Sequence, residues 1–120
     1  MTRTRATAKQ AGARAETDVA KYLRDTQDDD RIERRARNGS KDRGDISGVR
    51  TQHGSRVVIE VKDCAKVDLA GWVAEAEIER GNDDAAVGVV WHKRRGKSDP
   101  GDWYVTMTGD TSTRLLGGAV

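Results

Sequence analysis

The sequence predicts a single α/β domain in which a central mixed β-sheet is flanked by helices. Apolar residues recur at helical spacing in two stretches, near residues 9–23 and over 67–80. Runs rich in β-branched residues lie between and after these stretches, most clearly at 56–63 and 85–92. The resulting order of helix, strands, helix and strands is typical of helices packed on a sheet. A length of 120 residues supports one such domain.

The first helix is predicted to follow a basic arm. Residues 1–8 have no apolar periodicity, so we expect a mobile arm there and the single domain over residues 9–120. Helical spacing begins near Lys9, and one face then presents Ala15, Val19, Tyr22 and Leu23. Glu16 lies on the same stripe. Because an unpaired buried charge is costly, Glu16 is expected either to reach solvent at the edge of the stripe or to point into a polar site.

A hairpin is predicted in the middle of the chain. Residues 31–36 are either a short strand or irregular, and turn residues indicate a loop over 38–44. The strands 45–50 and 56–63 then follow, joined by a connection centred near residue 53.

The position of that connection predicts the strand register. Paired residues should have numbers that sum to about 106. Asp45 would then lie opposite Val61, or opposite Glu60 or Lys62 if the register moves by one residue. Strand alternation places Glu60 and Lys62 on one face, so all three charged side chains are expected to converge on one patch.

The second half of the chain is predicted to form a helix over 67–80, with Asp68 as N-cap and Gly81 as the stop signal. An apolar strand over 85–92, a turn over 96–102, a strand over 103–108 and a short helix over 110–116 complete the sequence.

Two further interpretations concern side chains. The alternating acids of the second helix are interpreted as solvated, namely Glu75, Glu77 and Glu79. The tryptophans are interpreted as core or dimer-interface residues, namely Trp72, Trp91 and Trp103.

The charge distribution favours a nucleic-acid partner. Charged residues make up 35% of the chain, well above the usual quarter, and basic residues cluster at 1–15, 31–43 and 92–97. Nucleic acid is a common partner for such surfaces, although solvated faces are the alternative for any one cluster. The candidate DNA contacts are Arg35, Arg37, Lys41, Arg43, His92, Lys93, Arg94 and Arg95.

Cys64 is the single cysteine, which excludes an internal disulfide. Since no stretch resembles a signal peptide or a membrane span, we expect a cytoplasmic protein with no membrane partner.

The patch of Asp45, Glu60 and Lys62 has the residue types that phosphodiester hydrolysis requires. Mg²⁺ binds oxygen ligands, usually one or two carboxylates together with a substrate phosphate. Asp45 and Glu60 could provide the carboxylates for Mg²⁺ or Mn²⁺, with the carbonyl of Val61 as a further ligand. Lys62 could hold or deprotonate the attacking water, or place positive charge near the phosphate. The alternative is a surface ladder of opposite charges that stabilises a hairpin.

Two short runs resemble a known enzyme family. Gly44-Asp45-Ile46, followed by Ile59-Glu60-Val61-Lys62, is similar to the PD-(D/E)xK nuclease superfamily of restriction-endonuclease-like fold, and more narrowly to archaeal-type and phage Holliday junction resolvases. Gly12 and Glu16 match the opening helix of those enzymes, and the loop 37–40 matches their arginine-glycine-serine loop. Gly44 stands where many members have proline.

The resemblance, which spans residues 12–63, implies further roles. Glu16 would join the metal site, and Ser40 would approach the cleaved DNA strand as a catalytic and DNA-contacting residue. The protein would act as a homodimer on four-way junctions, and a phage-encoded member would work in the host cytoplasm.

The most favoured function is therefore a Mg²⁺-dependent Holliday junction resolvase. The first alternative is a nicking or duplex-cutting nuclease that has the same chemistry without junction selectivity. The second, from another class, is a catalytically silent DNA-binding module.

Overall fold

The computed structural model describes residues 4–35 and 42–118. Three α-helices span Arg5–Gln27 (α1), Leu69–Asn82 (α2) and Gly109–Leu115 (α3). Five strands span Glu33–Arg34 (β1), Ile46–Ser47 (β2), Val57–Lys62 (β3), Val87–His92 (β4) and Tyr104–Thr106 (β5), and a short 3₁₀ turn covers Pro100–Asp102.

The five strands form one mixed sheet in the order β1-β2-β3-β4-β5. β3 and β4 are parallel, while the other neighbouring pairs are antiparallel. Parallel strands require a crossover connection, and α2 provides it between β3 and β4. The predicted α/β class, with a central mixed sheet and flanking helices, is confirmed.

The two faces of the sheet bury different side chains. Val57, Ile59 and Val61 pack against the apolar stripe of α1 in the larger core cluster. On the other face, Val90 packs against Trp72 and Ala76 of α2. The even-numbered residues of β3 therefore face α2, as strand alternation predicts. Trp72 and Trp103 are buried and Trp91 is partly buried against the core, which confirms the core alternative for these side chains.

Both long helices have bounds that differ from the prediction. α1 begins at Arg5, where the Thr4 hydroxyl accepts a hydrogen bond from the Thr7 N–H, so residues 5–8 are helical and the predicted start near Lys9 is wrong. α2 continues through Gly81 to Asn82, so Gly81 does not end the helix. The predicted cap at Asp68 is confirmed, because its side chain accepts from the Gly71 N–H.

The register of the central hairpin shifts by one residue along its length. Arg50 pairs with Arg56 as predicted, but Ile46 pairs with Ile59. The extra residue lies between Ile46 and Arg50, a segment in which Gly48 has a φ of +87° that favours glycine. Asp45 consequently lies at the level of Glu60 rather than Val61, which is one of the alternatives stated for it.

In the part of the chain that the structure describes, no helix combines the length and apolar character needed to cross a bilayer.

Candidate functional site

One pocket brings together five of the six residues that the sequence nominated for catalysis or metal binding. Asp45, Glu60, Val61 and Lys62 line it from the central strands, and Glu16 lines it from α1. Its rim includes the basic residues Lys9, Arg34 and Arg35, together with Cys64. Ser40 lies outside the described residues, as do Arg37 and Lys41.

Asp45 is fixed at the edge of β3 by three hydrogen bonds. Its N–H donates to the Ile59 carbonyl at 2.9 Å, and its own carbonyl accepts from the Arg35 N–H at 2.7 Å. Its carboxylate Oδ2 accepts from the Val61 N–H at 2.7 Å. The Asp45 carboxylate thus accepts the hydrogen bond that a carbonyl of a neighbouring strand would otherwise accept from the Val61 N–H. It does so at the point where β2 no longer runs beside β3.

Gly44 makes this placement of Asp45 possible. Its φ is +93°, and an added Cβ would lie 2.8 Å from Val58 Cγ1 and 3.2 Å from the Ile59 carbonyl oxygen. Proline is restricted to a φ near −65°, so it could not occupy this position. The local backbone therefore requires glycine at position 44, where many PD-(D/E)xK nucleases have proline.

Glu60 and Lys62 project from β3 towards α2. Glu60 is only 4% exposed. The Lys62 Nζ lies 3.4 Å from Glu60 Oε1 and 3.1 Å from Glu75 Oε2, so the ammonium is held between two carboxylates.

The prediction that all three glutamates of α2 are solvated is wrong for Glu79. It is 2% exposed, whereas Glu75 and Glu77 are exposed and pair with Lys62 and Arg80. The available signal was the spacing of Trp72, Ala76 and Glu79, which lie on one face of the helix.

Three carboxylates meet beside the predicted centre. Oxygen atoms of Asp42, Glu60 and Glu79 all lie within 4.8 Å of one another. Among the described residues, this is the trio close enough to share one ion, and it includes Glu60 but neither Glu16 nor Asp45. Sequence reasoning missed Asp42, because a loop position has no periodicity that would indicate where its side chain points.

Burial and mutual repulsion disfavour the charged forms of these carboxyls. Burial, together with the charge of Glu16, raises the pKa of Asp45 to about 7. Burial also raises the pKa of Glu60, which faces the charge of Asp45, and that of Glu79, which faces Glu60. Within the described residues, Glu60 Oε2 and both carboxylate oxygens of Glu79 have no hydrogen-bond partner.

Lys62 has the opposite balance. Burial lowers the pKa of its ammonium, but the hydrogen bond to Glu75 and the charge of Glu60 outweigh this effect, so the pKa is raised. Lys62 is therefore positively charged at neutral pH.

Two of the candidate DNA-contacting side chains, Arg35 and His92, interact with other residues of the protein. Arg35 Nη1 lies 3.4 Å from the buried Asp83 carboxylate. The His92 Nε2 lies 2.8 Å from Thr106 Oγ1, and burial lowers the pKa of the ring.

The remaining described candidates lie nearer the surface. The Arg94 guanidinium lies 4.4 Å from the centroid of the Tyr104 ring and donates to the Asp102 carbonyl at 2.8 Å. Arg43, Lys93 and Arg95 are exposed.

Comparisons with protein-family models, curated proteins and solved structures give no match to this chain. The resemblance to PD-(D/E)xK nucleases thus rests on the residues quoted above.

Proposed function

We propose that the protein is a divalent-cation-dependent DNA endonuclease of restriction-endonuclease-like fold, and specifically a Holliday junction resolvase. The observation that supports this most directly is the convergence of Asp45, Glu60 and Lys62 in one pocket, with Glu16 beside them. A surface charge ladder on a hairpin would leave its carboxylates solvated, whereas Asp45 and Glu60 are 6% and 4% exposed.

The donor set of the pocket fits a hard cation such as Mg²⁺ or Mn²⁺. Asp45 and Glu60 would hold it, with Glu16 and the carbonyl of Val61 as further oxygen ligands. The three carboxylates would have to move closer together on binding, because their oxygens do not all lie within 4.8 Å of one another in this structure. Glu60 Oε2 is buried without a hydrogen-bond partner among the described residues, as expected for an oxygen reserved for a ligand. When bound, the cation supplies charge neutralisation at the phosphate and lowers the pKa of water.

Lys62 would place fixed positive charge next to the scissile phosphate. Its two carboxylate partners hold the Nζ in place and raise its pKa, which argues against the alternative role as a general base. Positive charge arranged before the reaction stabilises the extra negative charge of the transition state without reorganisation.

The basic rim would orient the substrate. Arg34 Nη2 lies 3.6 Å from Glu16 Oε2, and the Arg34 side chain is 49% exposed, so it can contact a backbone phosphate at the mouth of the pocket. Arg43, Lys93 and Arg95 add sequence-independent contacts with strong salt dependence. A homodimer would present two such pockets with two-fold symmetry, which suits a four-way junction.

The test compares a synthetic four-way junction with matched linear duplex, in Mg²⁺ and in EDTA. Paired symmetric nicks on the junction, dependent on Mg²⁺, are expected from the parent protein. Glu60→Gln should lose cutting and retain binding, while Glu77→Gln, an exposed acid on α2, should cut normally. Equal cutting of duplex would favour the nuclease without junction selectivity. Binding with no Mg²⁺-dependent nicking would leave a DNA-binding module.

A further inference from the structure

We infer that Asp42, Glu60 and Glu79 form a second divalent-cation subsite, beside the cation assigned to Asp45, Glu60 and Glu16. Glu60 would be shared between the two ions. The subsite's catalytic relevance rests on the proposed function, but its existence does not depend on the substrate.

The geometry of the trio suits a single ion. Two oxygens bound to one Mg²⁺ or Ca²⁺ at about 2.0–2.6 Å lie no more than about 5 Å apart. The three carboxylates already place one oxygen each within 4.8 Å of the others. They come from three separate parts of the fold: the loop before Asp45, strand β3 and the last turn of α2.

The burial of Glu79 provides an independent reason to expect a ligand. Its side chain is 2% exposed, and neither of its carboxylate oxygens has a hydrogen-bond partner among the described residues. In the same part of the chain, the structure gives Glu79 no ion pair, and its nearest charged neighbours are other carboxylates. A buried carboxylate in such surroundings requires either a proton or a cation.

Asp42 makes the cation the better choice. It is exposed, so an ion at this position can exchange with solvent. The Asn82 side chain donates to the Asp42 carbonyl at 2.8 Å, and Asp42 Oδ1 accepts from the Gly44 N–H at 3.0 Å. These bonds keep the Asp42 carboxylate next to the end of α2. One proton shared by Glu60 and Glu79 would still leave that buried pair with a net negative charge next to the Asp42 carboxylate, whereas a divalent cation would balance the charge of the pair.

The experiment measures Mn²⁺ stoichiometry by electron paramagnetic resonance, on the whole chain and without DNA. The parent protein should bind two Mn²⁺ per chain at saturation. Glu79→Gln should bind one, and Asp42→Asn, which keeps the hydrogen bond to the Gly44 N–H, should also bind one. Glu77→Gln is the matched control on the same helix and should bind two. An ion count that Glu79→Gln and Asp42→Asn both leave unchanged from the parent would overturn the inference. A single parent ion that both variants lose would refute the cation proposed at Asp45 and leave this subsite standing.

Thermal melting provides a second readout that does not require activity. In EDTA, Glu79→Gln should melt at or above the parent temperature, because it removes a buried carboxyl whose charged form is repelled by its neighbours. Added Mn²⁺ should raise the melting temperature of the parent more than that of the variant. Equal increases would favour the shared proton. Failure of junction cutting with two ions bound would refute the proposed function and leave the second subsite standing.

Discussion

The stability of the metal-free protein should decrease as the pH rises, and Asp45 allows the size of the effect to be worked out. Burial raises the pKa of this carboxyl from its usual 3.8 to about 7. Between these values the folded chain keeps a proton that the unfolded chain has released, so the stabilisation is complete below about pH 4 and is lost as the pH rises through about 7. At about 1.4 kcal/mol per pH unit, the full difference is about 4 kcal/mol, of which about 2 to 3 kcal/mol lies between pH 5 and pH 8.

The assay is urea unfolding in EDTA at about pH 5 and about pH 8. Asp45→Asn should lose the part of the pH dependence that Asp45 contributes, because the amide oxygen still accepts from the Val61 N–H but cannot titrate; Glu60 and Glu79, whose pKa values burial also raises, should keep the rest. Asp25→Asn, which changes an exposed acid, should keep the parent profile. Saturating Mg²⁺ should reduce the loss at pH 8 in the parent. The reasoning is refuted if the parent is equally stable at both pH values, or if Asp45→Asn retains the full slope.

Three other substitutions test separate parts of the argument. Gly44→Ala should lower the free energy of unfolding by about 1–3 kcal/mol in urea, since its Cβ would lie 2.8 Å from a valine methyl. Gly54→Ala shares the positive φ but meets no atom within 4 Å, so its loss should be smaller; equal losses would contradict the contact. Asp83→Ala should cost about 3–5 kcal/mol, because it leaves a partly buried arginine unpaired, whereas Asp25→Ala, at an exposed pair, should cost under about 1 kcal/mol. Lys62→Met should reduce junction cleavage at least about a hundredfold while binding persists, and near-parent cleavage would remove the role given to its charge.

The regular elements were predictable where one physical pattern dominated. β3 could be predicted because it is rich in β-branched residues, and α2 could be predicted from its apolar spacing and the cap at Asp68. The ends of the helices could not be predicted in this way, because they depend on capping and tertiary contacts. Asn82 remains helical past Gly81 and donates to the Asp42 carbonyl, forty residues away, which no local signal records. The start of α1 depended on a capping threonine within a stretch without apolar periodicity.

The candidate site was predictable only as far as strand geometry reaches. The hairpin centre placed Asp45 near Glu60, and alternation placed Lys62 on the same face as Glu60. The register shift between Ile46 and Arg50 could not be predicted from spacing, because any residue of the hairpin could accommodate the extra position. The burial of Glu79 was missed for a different reason: α2 carries three alternating glutamates, and the sequence alone did not distinguish one from another. Only packing against the sheet distinguishes the buried one from its exposed neighbours.

Asp45 explains why folding and metal binding should be linked in this chain. Since β2 is short, the Val61 N–H would lack a strand partner, and the Asp45 carboxylate supplies one. The fold therefore holds a carboxylate at the sheet edge for a structural reason, next to Glu60, which the sheet buries. Two buried carboxylates so placed repel each other in the metal-free state, and a cation between them would convert that repulsion into attraction. The hydrogen bond that completes the edge of β3 thus also prepares the proposed metal site.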